Sequence, residues 1–277
     1  STSSGTAPPG AEPSLGRAPL ALSLKQRVVR PERIDPFTRV LQVFYRPPLL
    51  IAILIAAALA LRWLFLVHGI SRSVADTLGV PGHLLVVLVL ILVGGAFHEL
   101  GHACALRYGG ARTRGMGVGL YLIYPAFYTD VSENYRLGRG ARVRTDLGGF
   151  YFNLIYSLGM IALYAVTGAE YLLSVVTLTV LDIVRQSLPF VRMDGYWALV
   201  DLTGIPDFFA TIGPFLRTLV PTSRWQGKRL PALHLWAKAI YVLYLLVTIP
   251  VLTFLLVNLV RGLPQLLLTA WGSFDRL

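Results

Sequence analysis

The sequence predicts an all-α polytopic membrane protein of about five transmembrane helices, with a short β-like hairpin between spans two and three. Three observations support this fold class. Hydrophobic residues make up 55% of the 277 residues and charged residues only 14%, which is low for a soluble domain. The apolar residues are gathered in blocks of about 20, the length that a helix needs to cross a bilayer. Lys and Arg lie mainly between those blocks.

Five apolar blocks are predicted as membrane spans. They are Leu49–Gly69, His83–Tyr108, Leu147–Thr167, Tyr171–Phe190 and Ala237–Val260. The segments before the first span, after the second and after the fourth are rich in Lys and Arg, whereas the loops 70–82 and 168–170 are poor in them. The positive-inside rule then predicts a multi-pass protein of the cell membrane, with a cytoplasmic N-terminus and the C-terminus outside.

The chain carries a net charge of +11, and its distribution favours a membrane surface as the partner. No recognised nucleic-acid-binding motif accompanies the charge, so we expect the lipid bilayer and no nucleic acid. Residues 1 to 24 are rich in Ser, Pro, Gly and Ala and are predicted to be disordered. The basic stretch Lys25–Arg46 is expected to lie along the cytoplasmic headgroups. We therefore divide the chain into a disordered and basic N-terminal segment, 1–46, and a membrane-embedded domain, 47–277.

Two further stretches are not predicted to be membrane spans. Gly115–Asp130 is apolar but short, rich in Gly and aromatic residues and interrupted by Pro125, which favours short extended strands. Gly195–Val220 is interrupted by Gly204, Pro206, Gly213 and Pro214 and is predicted to be a re-entrant or interfacial segment.

The motif that carries chemistry lies within the second span, at His98-Glu99-Leu100-Gly101-His102. On a helix, residues i and i+4 lie on one face, so two imidazoles in an H-E-x-x-H pattern reach one Zn²⁺. The Glu between them is placed to act as a base toward a water molecule on the metal. Two His and a Glu are costly in an apolar helix unless they are ligated, paired or hydrated. The pattern predicts a zinc site with Glu99 as the catalytic residue.

Catalytic zinc usually takes three protein ligands and one water. The remaining His residues are poorly placed, because His68 and His83 are predicted at the outer ends of their spans and His234 lies in a basic stretch. An acidic third ligand is therefore expected, and the sequence leaves several candidates open. They are Asp130, Glu133, Asp146, Asp182, Asp194, Asp201 and Asp207. Asp194 ranks narrowly first because Pro189 and Gly195 allow the backbone to turn back toward the site.

The motif and the stretch Pro189-x-x-x-Met193-Asp194-Gly195 together resemble the site-2 protease family of intramembrane zinc metalloproteases. Gly149-x-x-x-Asn153 matches a further pattern of that family, while Gln186 and Met193 stand where the family usually has Asn and Leu. The subgroup most similar to this chain is the bacterial peptide zinc metalloproteases without a PDZ domain. The resemblance covers about 89–205.

This resemblance implies that His98, His102 and Asp194 bind Zn²⁺, and that Asn153 and Gln186 contact the substrate. We expect peptide-bond hydrolysis by zinc-activated water with Glu99 as general base. The substrate would be a transmembrane protein, a membrane-associated protein or a small peptide, and an extended substrate could pair with the edge of the hairpin. The sequence does not predict the oligomeric state.

Other interpretations remain open. Asn153 can equally make a hydrogen bond between packed spans, and Gln186 more simply serves a structural role. The whole chain can also be a catalytically inactive membrane scaffold that retains a structural metal site, which would be closed by a fourth protein ligand. A prenyl-type membrane protease would need a Glu ligand on a later helix, and the chain has no Glu after Glu170.

Overall fold

The structure, a computed structural model, describes residues 23–121, 124–187 and 192–205, together with scattered residues between 236 and 253. Within this part the chain is mainly helical, with one small sheet. The helices are α1 (Pro31–Leu41), α2 (Pro47–Arg62), α3 (Ser71–Gly79), α4 (Pro81–Tyr108), α5 (Arg139–Asp146), α6 (Gly148–Thr167), α7 (Tyr171–Ser187) and α8 (Asp194–Thr203). The strands are β1 (Ser23–Val29), β2 (Met116–Tyr121) and β3 (Tyr124–Thr129). Short 3-10 turns cover Gln42–Tyr45 and Ser132–Arg136, and a π-helical turn, Trp63–His68, extends α2.

Three helices are long and apolar enough to cross a membrane. They are Pro47–His68, Pro81–Tyr108 and Gly148–Thr167, of 22, 28 and 20 residues. They correspond to the first three predicted spans, and their ends differ from the predicted ends by one or two residues. Pro47 and Pro81 stand in the first turns of their helices, where the missing N–H has no cost. The third ends at Gly168, whose φ of 68° suits the left-handed residue that follows a helix.

The structure does not confirm five spans. The predicted fourth span forms the helix α7, which has 17 residues and is not among the three candidate membrane helices. The predicted fifth span, Ala237–Val260, lies mostly outside the described residues, and residues 1–22 and 206–235 lie wholly outside them. Of the predicted re-entrant stretch Gly195–Val220, the described part continues the helix α8 to Thr203.

The predicted hairpin is present and belongs to a three-stranded antiparallel sheet in the order β1-β2-β3. β2 and β3 pair from Met116↔Thr129 to Tyr121↔Tyr124. On the other edge of β2, the strand β1 approaches closely at Gly117, where an added Cβ would lie 2.1 Å from the carbonyl oxygen of Gln26. Only glycine permits this approach, and the outer sides of β1 and β3 form the two edges of the sheet.

Nearly all of the stretch 1–24 that was predicted to be disordered lies outside the described residues, whereas the rest of the segment 1–46 is described. Residues 23–46 form β1, α1 and a 3-10 turn, because β1 pairs with β2 and α1 packs on α4. In α1 the buried side chains are Ile34 and Thr38. Asp35 of α1 forms an ion pair with Arg107 in the last turn of α4. The pairing and the packing give this segment the long-range contacts that its composition does not reveal.

The centre of the fold is the contact between α4 and α6, at Gly101 and Gly148. A Cβ on Gly101 would lie 2.3 Å from the carbonyl oxygen of Gly148, and a Cβ on Gly148 would lie 2.8 Å from that of Gly101. Small residues let two helix backbones approach in this way. The hydroxyl of Tyr45 donates to both carbonyl oxygens, at 3.0 and 3.3 Å, and so joins the two helices to the segment before α2.

The opposite end of the helices is held by polar contacts to Glu170, between α6 and α7. Its carboxylate accepts from Ser73 at 2.9 Å and from Tyr164 at 3.3 Å, and lies 3.2 Å from Nε2 of His68. Ser73 belongs to α3, a helix within the stretch 70–82 that the sequence predicted as a loop. His68 thus lies at the end of the bundle, as expected, in contact with this carboxylate.

Candidate metal centre

His98 and His102 lie one turn apart on α4, and their Nε2 atoms are 3.2 Å apart. Both residues are buried, at 5% and 7% exposure. The large apolar side chains that α4 exposes lie between Leu84 and Val93, whereas 101–106 is fully buried. The two imidazoles therefore stand where the helix passes from an exposed apolar surface into the protein.

Asp194 reaches the two imidazoles from the start of α8. Its Oδ2 lies 2.9 Å from Nε2 of His98 and 3.1 Å from Nε2 of His102. The next residue, Gly195, makes this approach possible, since a Cβ there would lie 2.6 Å from the carbonyl oxygen of Ser187. α8 can therefore begin directly against the end of α7. Burial opposes ionisation of Asp194, but the adjacent imidazoles of His102 and His98 hold the pKa of its carboxyl well below the usual range.

α6 lies against the same imidazoles through Gly149. A Cβ on Gly149 would be 2.3 Å from Cε1 of His98 and 2.6 Å from Nε2 of His102. No side chain fits there without moving the rings. The glycine of the Gly149-x-x-x-Asn153 pattern is thus explained by the space that the two histidines need.

The carbonyl oxygen of Thr145, at the end of α5, fixes the ring of His102. It lies 2.7 Å from Nδ1. Because a carbonyl oxygen only accepts, Nδ1 carries a proton, so in the neutral imidazole Nε2 is the nitrogen available to a metal ion. The Nδ1 atom of His98 is buried and has no hydrogen-bond partner in the described part of the chain.

The donor set fits a zinc ion. In a tetrahedral site with ligand bonds of about 2.0–2.1 Å, two ligand atoms are about 3.3 Å apart. The three distances among His98, His102 and Asp194 are 2.9, 3.1 and 3.2 Å, so the three atoms form nearly one face of such a tetrahedron. Two imidazoles and one carboxylate are also a ligand set typical of zinc hydrolases. These three residues form a group able to hold a metal ion.

Glu99, the predicted catalytic residue, is half-buried beside the first histidine. Its backbone carbonyl accepts a hydrogen bond of 2.8 Å from the hydroxyl of Thr129, the last residue of β3. A turn earlier on α4, Gly95 faces the ring of Phe127, 3.1 Å from the position of an added Cβ. β3 is thus attached to the segment of α4 that carries the motif.

The two predicted substrate residues differ in their surroundings. Asn153 is 3% exposed and follows Gly149 by one turn on the same face of α6. Its side chain makes no hydrogen bond to any described residue. Gln186 donates its amide to Asp182 at 2.7 Å, which favours a structural role for this side chain.

Apart from Asp194, the acidic residues considered as third ligands have other partners or lie outside the described residues. Asp130 accepts from Ser132, Glu133 pairs with Arg114 and Arg136, Asp182 pairs with Arg185, Asp201 pairs with Arg142, and Asp207 is not described. Asp146 lies in the last turn of α5. It accepts from Asn134 at 3.4 Å, and its Oδ2 is buried.

Two contacts that support the site could not be identified from the sequence. The carbonyl of Thr145 is a backbone group, so no residue type marks it. The ion pair of Arg142 with Asp201, at 3.1 Å, joins α5 to α8 and thereby the partner of His102 to the helix of Asp194. Opposite charges in separate helices are too common to identify such a pair from the sequence.

Comparison with known proteins gives one partial similarity. Over 127 residues the chain is 25% identical to a protein of Bacillus subtilis (strain 168) named "Putative peptide zinc metalloprotease protein YydH". The matched part is 45% of this chain and 50% of that protein, so the chain spans about half the length of the curated relative it matches. No family model matches the chain, and no solved structure matches it. The similarity therefore supports a relationship with zinc metalloproteases, and the activity of this chain has to be argued from its own residues.

Proposed function

We propose that this protein is a membrane-embedded zinc metallopeptidase of the site-2 protease type, in which His98, His102 and Asp194 bind the metal and Glu99 is the general base. The observation that carries the proposal is that Asp194 of α8 meets the two histidines of the apolar helix α4, with the three ligand atoms within 3.2 Å of one another. The name of the partial relative supports the same class of reaction.

Each residue of the site has a separate role in this mechanism. Zinc held by the three ligands supplies Lewis acidity toward water and a carbonyl oxygen. Glu99 takes the proton of the attacking water and delivers it to the departing amine nitrogen. The carbonyl of Thr145 keeps His102 in the tautomer that leaves Nε2 available. The buried amide of Asn153, which has no partner among the described residues, is available to a substrate carbonyl.

An extended peptide would bind along β3. In the hairpin of β2 and β3, the strand β2 is paired on both sides, so the free edge of the hairpin lies on β3. β3 ends at Thr129, which is bonded to the backbone of Glu99, so a peptide paired with β3 would run toward the motif. Pro125 removes one N–H from the strand. A transmembrane helix must unwind locally to bind in this way, whereas a small peptide need not.

An inactive scaffold with a structural metal is the second candidate. Such a site would be closed by four protein ligands. Among the described residues the group holds three His, Cys, Asp or Glu donors, which favours a site with a position left for water. The proposed location is the cell membrane, with the metal toward the cytoplasmic side, since the basic segments flank the end of α4 that carries the motif.

The proposal is tested on the full chain purified in detergent and loaded with one equivalent of zinc. A panel of unstructured peptides is incubated with the protein, and the products are identified by mass spectrometry. We expect cleavage that stops when a chelator removes the zinc and returns when zinc is restored. Stoichiometric zinc without cleavage of any peptide, in bilayers as well as in detergent, would support the scaffold instead.

A further inference from the structure

An open cleft of about 640 Å³ lies beyond the end of α4, away from the metal centre. It is lined by β1, by the start of α1 and by the segment that joins α4 to β2. The lining includes Arg27, Arg112 and Arg114, with Glu133 as the one acidic residue. The cleft therefore has an excess of positive charge that the proposed peptidase mechanism does not use.

Two of the three arginines are not neutralised. Glu133 pairs with Arg114 at 3.3 Å and also with Arg136. Arg27 and Arg112 form no ion pair within the part of the chain that the structure describes, although the charge of Arg112 helps to lower the pKa of Asp35. The carboxylate of Asp35 is itself held by Arg107 and Arg39.

The fold holds these charges in place. The stem of Arg27 crosses Gly115, where an added Cβ would lie 2.9 Å from its Cδ. Arg112 stands between Ala111, whose N–H is bonded to Leu106, and the buried Thr113, whose hydroxyl donates to the carbonyl of Asp130 at 3.0 Å. The N–H groups of Arg112 and Thr113 donate no hydrogen bond to described residues and remain available to an oxyanion.

The position of the cleft relative to the bilayer indicates the source of such an oxyanion. α4 is about 42 Å long at 1.5 Å per residue, whereas the hydrocarbon core is about 30 Å thick. A helix that enters the core near Pro81 therefore passes out of it near Leu100, and its last turns lie at headgroup level. Next to the cleft, β1 and α1 expose Val28, Phe37 and Val40, each more than 60% exposed. Exposed apolar side chains among arginines are typical of interfacial segments.

We propose that this cleft binds a phosphate group through Arg27 and Arg112, presented by an anionic phospholipid headgroup or free in solution. Arginine binds phosphate oxygens with paired N–H donors, and each basic residue near an anionic lipid surface strengthens binding roughly fivefold. The site is independent of the peptidase proposal, because no residue of the metal centre takes part in it.

The test uses the full chain in phosphatidylcholine nanodiscs into which phosphatidylglycerol is titrated, with bound lipid counted by native mass spectrometry. The double variant R27Q/R112Q is compared with the parent and with R72Q, which removes an exposed arginine near the Glu170 end of the bundle. We expect the double variant to bind phosphatidylglycerol at least tenfold more weakly and R72Q to match the parent. Zinc content and thermal stability serve as folding controls. If the double variant does not fold, R112Q alone is used, with an expected loss of about fivefold.

A second arm titrates inorganic phosphate. Phosphate binding that is lost in R27Q/R112Q, without a preference for phosphatidylglycerol, would support the site and identify the soluble source. Equal binding of both ligands by the parent and the double variant would overturn the proposal. Binding of an acidic peptide through the same arginines, with no binding of phosphate or phosphatidylglycerol, would also overturn it.

Discussion

Gly149 of α6 and His98 of α4 are in such close contact that a single methyl group on the glycine would lie 2.3 Å from Cε1 of the imidazole. The same methyl would lie 2.6 Å from Nε2 of His102. The position of the two candidate ligands thus depends on the absence of a side chain in a neighbouring helix.

The substitution Gly149→Ala is therefore expected to weaken zinc binding at least tenfold, within the range known for changes around metal ligands. Zinc affinity is measured by competition with a chromogenic chelator. Gly159→Ala on the same helix is the matched control, because no atom lies within 4 Å of the added methyl. Equal affinities for the two variants would mean that the imidazoles do not hold the metal in the positions described.

Glu99 is expected to contribute to turnover and not to metal binding. Glu99→Gln keeps the size of the side chain but removes the base, so kcat should fall by at least about 100-fold while the zinc content stays at that of the parent. Glu133→Gln, the same change at a residue paired with Arg114, serves as the control and should retain activity. If Glu99→Gln cleaves at the parent rate, the general base lies elsewhere.

The hydroxyl of Tyr45 should contribute to stability by joining the backbones of α4 and α6. Tyr45→Phe removes a buried donor shared by two carbonyl groups, at a cost of about 1–2 kcal/mol. In a domain of this size that corresponds to a decrease in Tm of about 2–8 °C, measured by thermal unfolding in detergent. Tyr135→Phe, at a ring that is 74% exposed, should leave Tm unchanged. An unchanged Tm for both variants would contradict the structural role of the hydroxyl.

Asp146 is expected to make stability depend on pH. Burial and the carboxylate of Asp201 raise the pKa of Asp146 to about 8. Since this pKa lies above that of the unfolded chain, about 3.9, the folded state binds the proton more tightly. The contribution of Asp146 to stability is therefore fully present below about pH 4 and is lost as the pH rises toward 8.

The substitution Asp146→Asn replaces the neutral acid by a neutral amide. The Tm of this variant should match the parent near pH 4 and exceed it by at least about 2–4 °C at pH 8, which corresponds to about 1 kcal/mol. Comparing the two proteins at each pH cancels the titration of groups that they share. A difference in Tm that is constant from pH 4 to pH 8 would show that Asp146 does not titrate in this range.

The membrane helices, the hairpin and the pair of histidines could be predicted because each depends on residues that are close together in the sequence. The apolar blocks and their Pro and Gly boundaries predicted the three membrane helices. The Gly and aromatic residues of 115–130 predicted the hairpin. The spacing of His98 and His102 placed both rings on one face of α4. The approach of Asp194 to them rested on one Pro, one Gly and a resemblance, and the described residues bring the three side chains together.

Features that depend on distant partners could not be predicted. β1 is a polar strand that is ordered by pairing with β2 opposite Gly117, and its own residues do not indicate that pairing. α3 is short and polar, and its Ser73 and Thr77 are buried. The hydroxyl of Ser73 donates to Glu170 and that of Thr77 to Ser174, while Ser174 donates to the carbonyl of Ser73. The burial of Asp146 likewise results from the packing of α5 on α8, two helices separated by 47 residues of sequence.

A structure of the zinc-loaded full chain, with anomalous diffraction recorded at the zinc edge, tests the metal centre most directly. One peak is predicted within about 2.0–2.2 Å of Nε2 of His98, Nε2 of His102 and one carboxylate oxygen of Asp194, with the fourth position held by a non-protein ligand. A peak remote from His98 and His102, or an ion enclosed by four protein side chains, would contradict the assignment of this chain as a metallopeptidase.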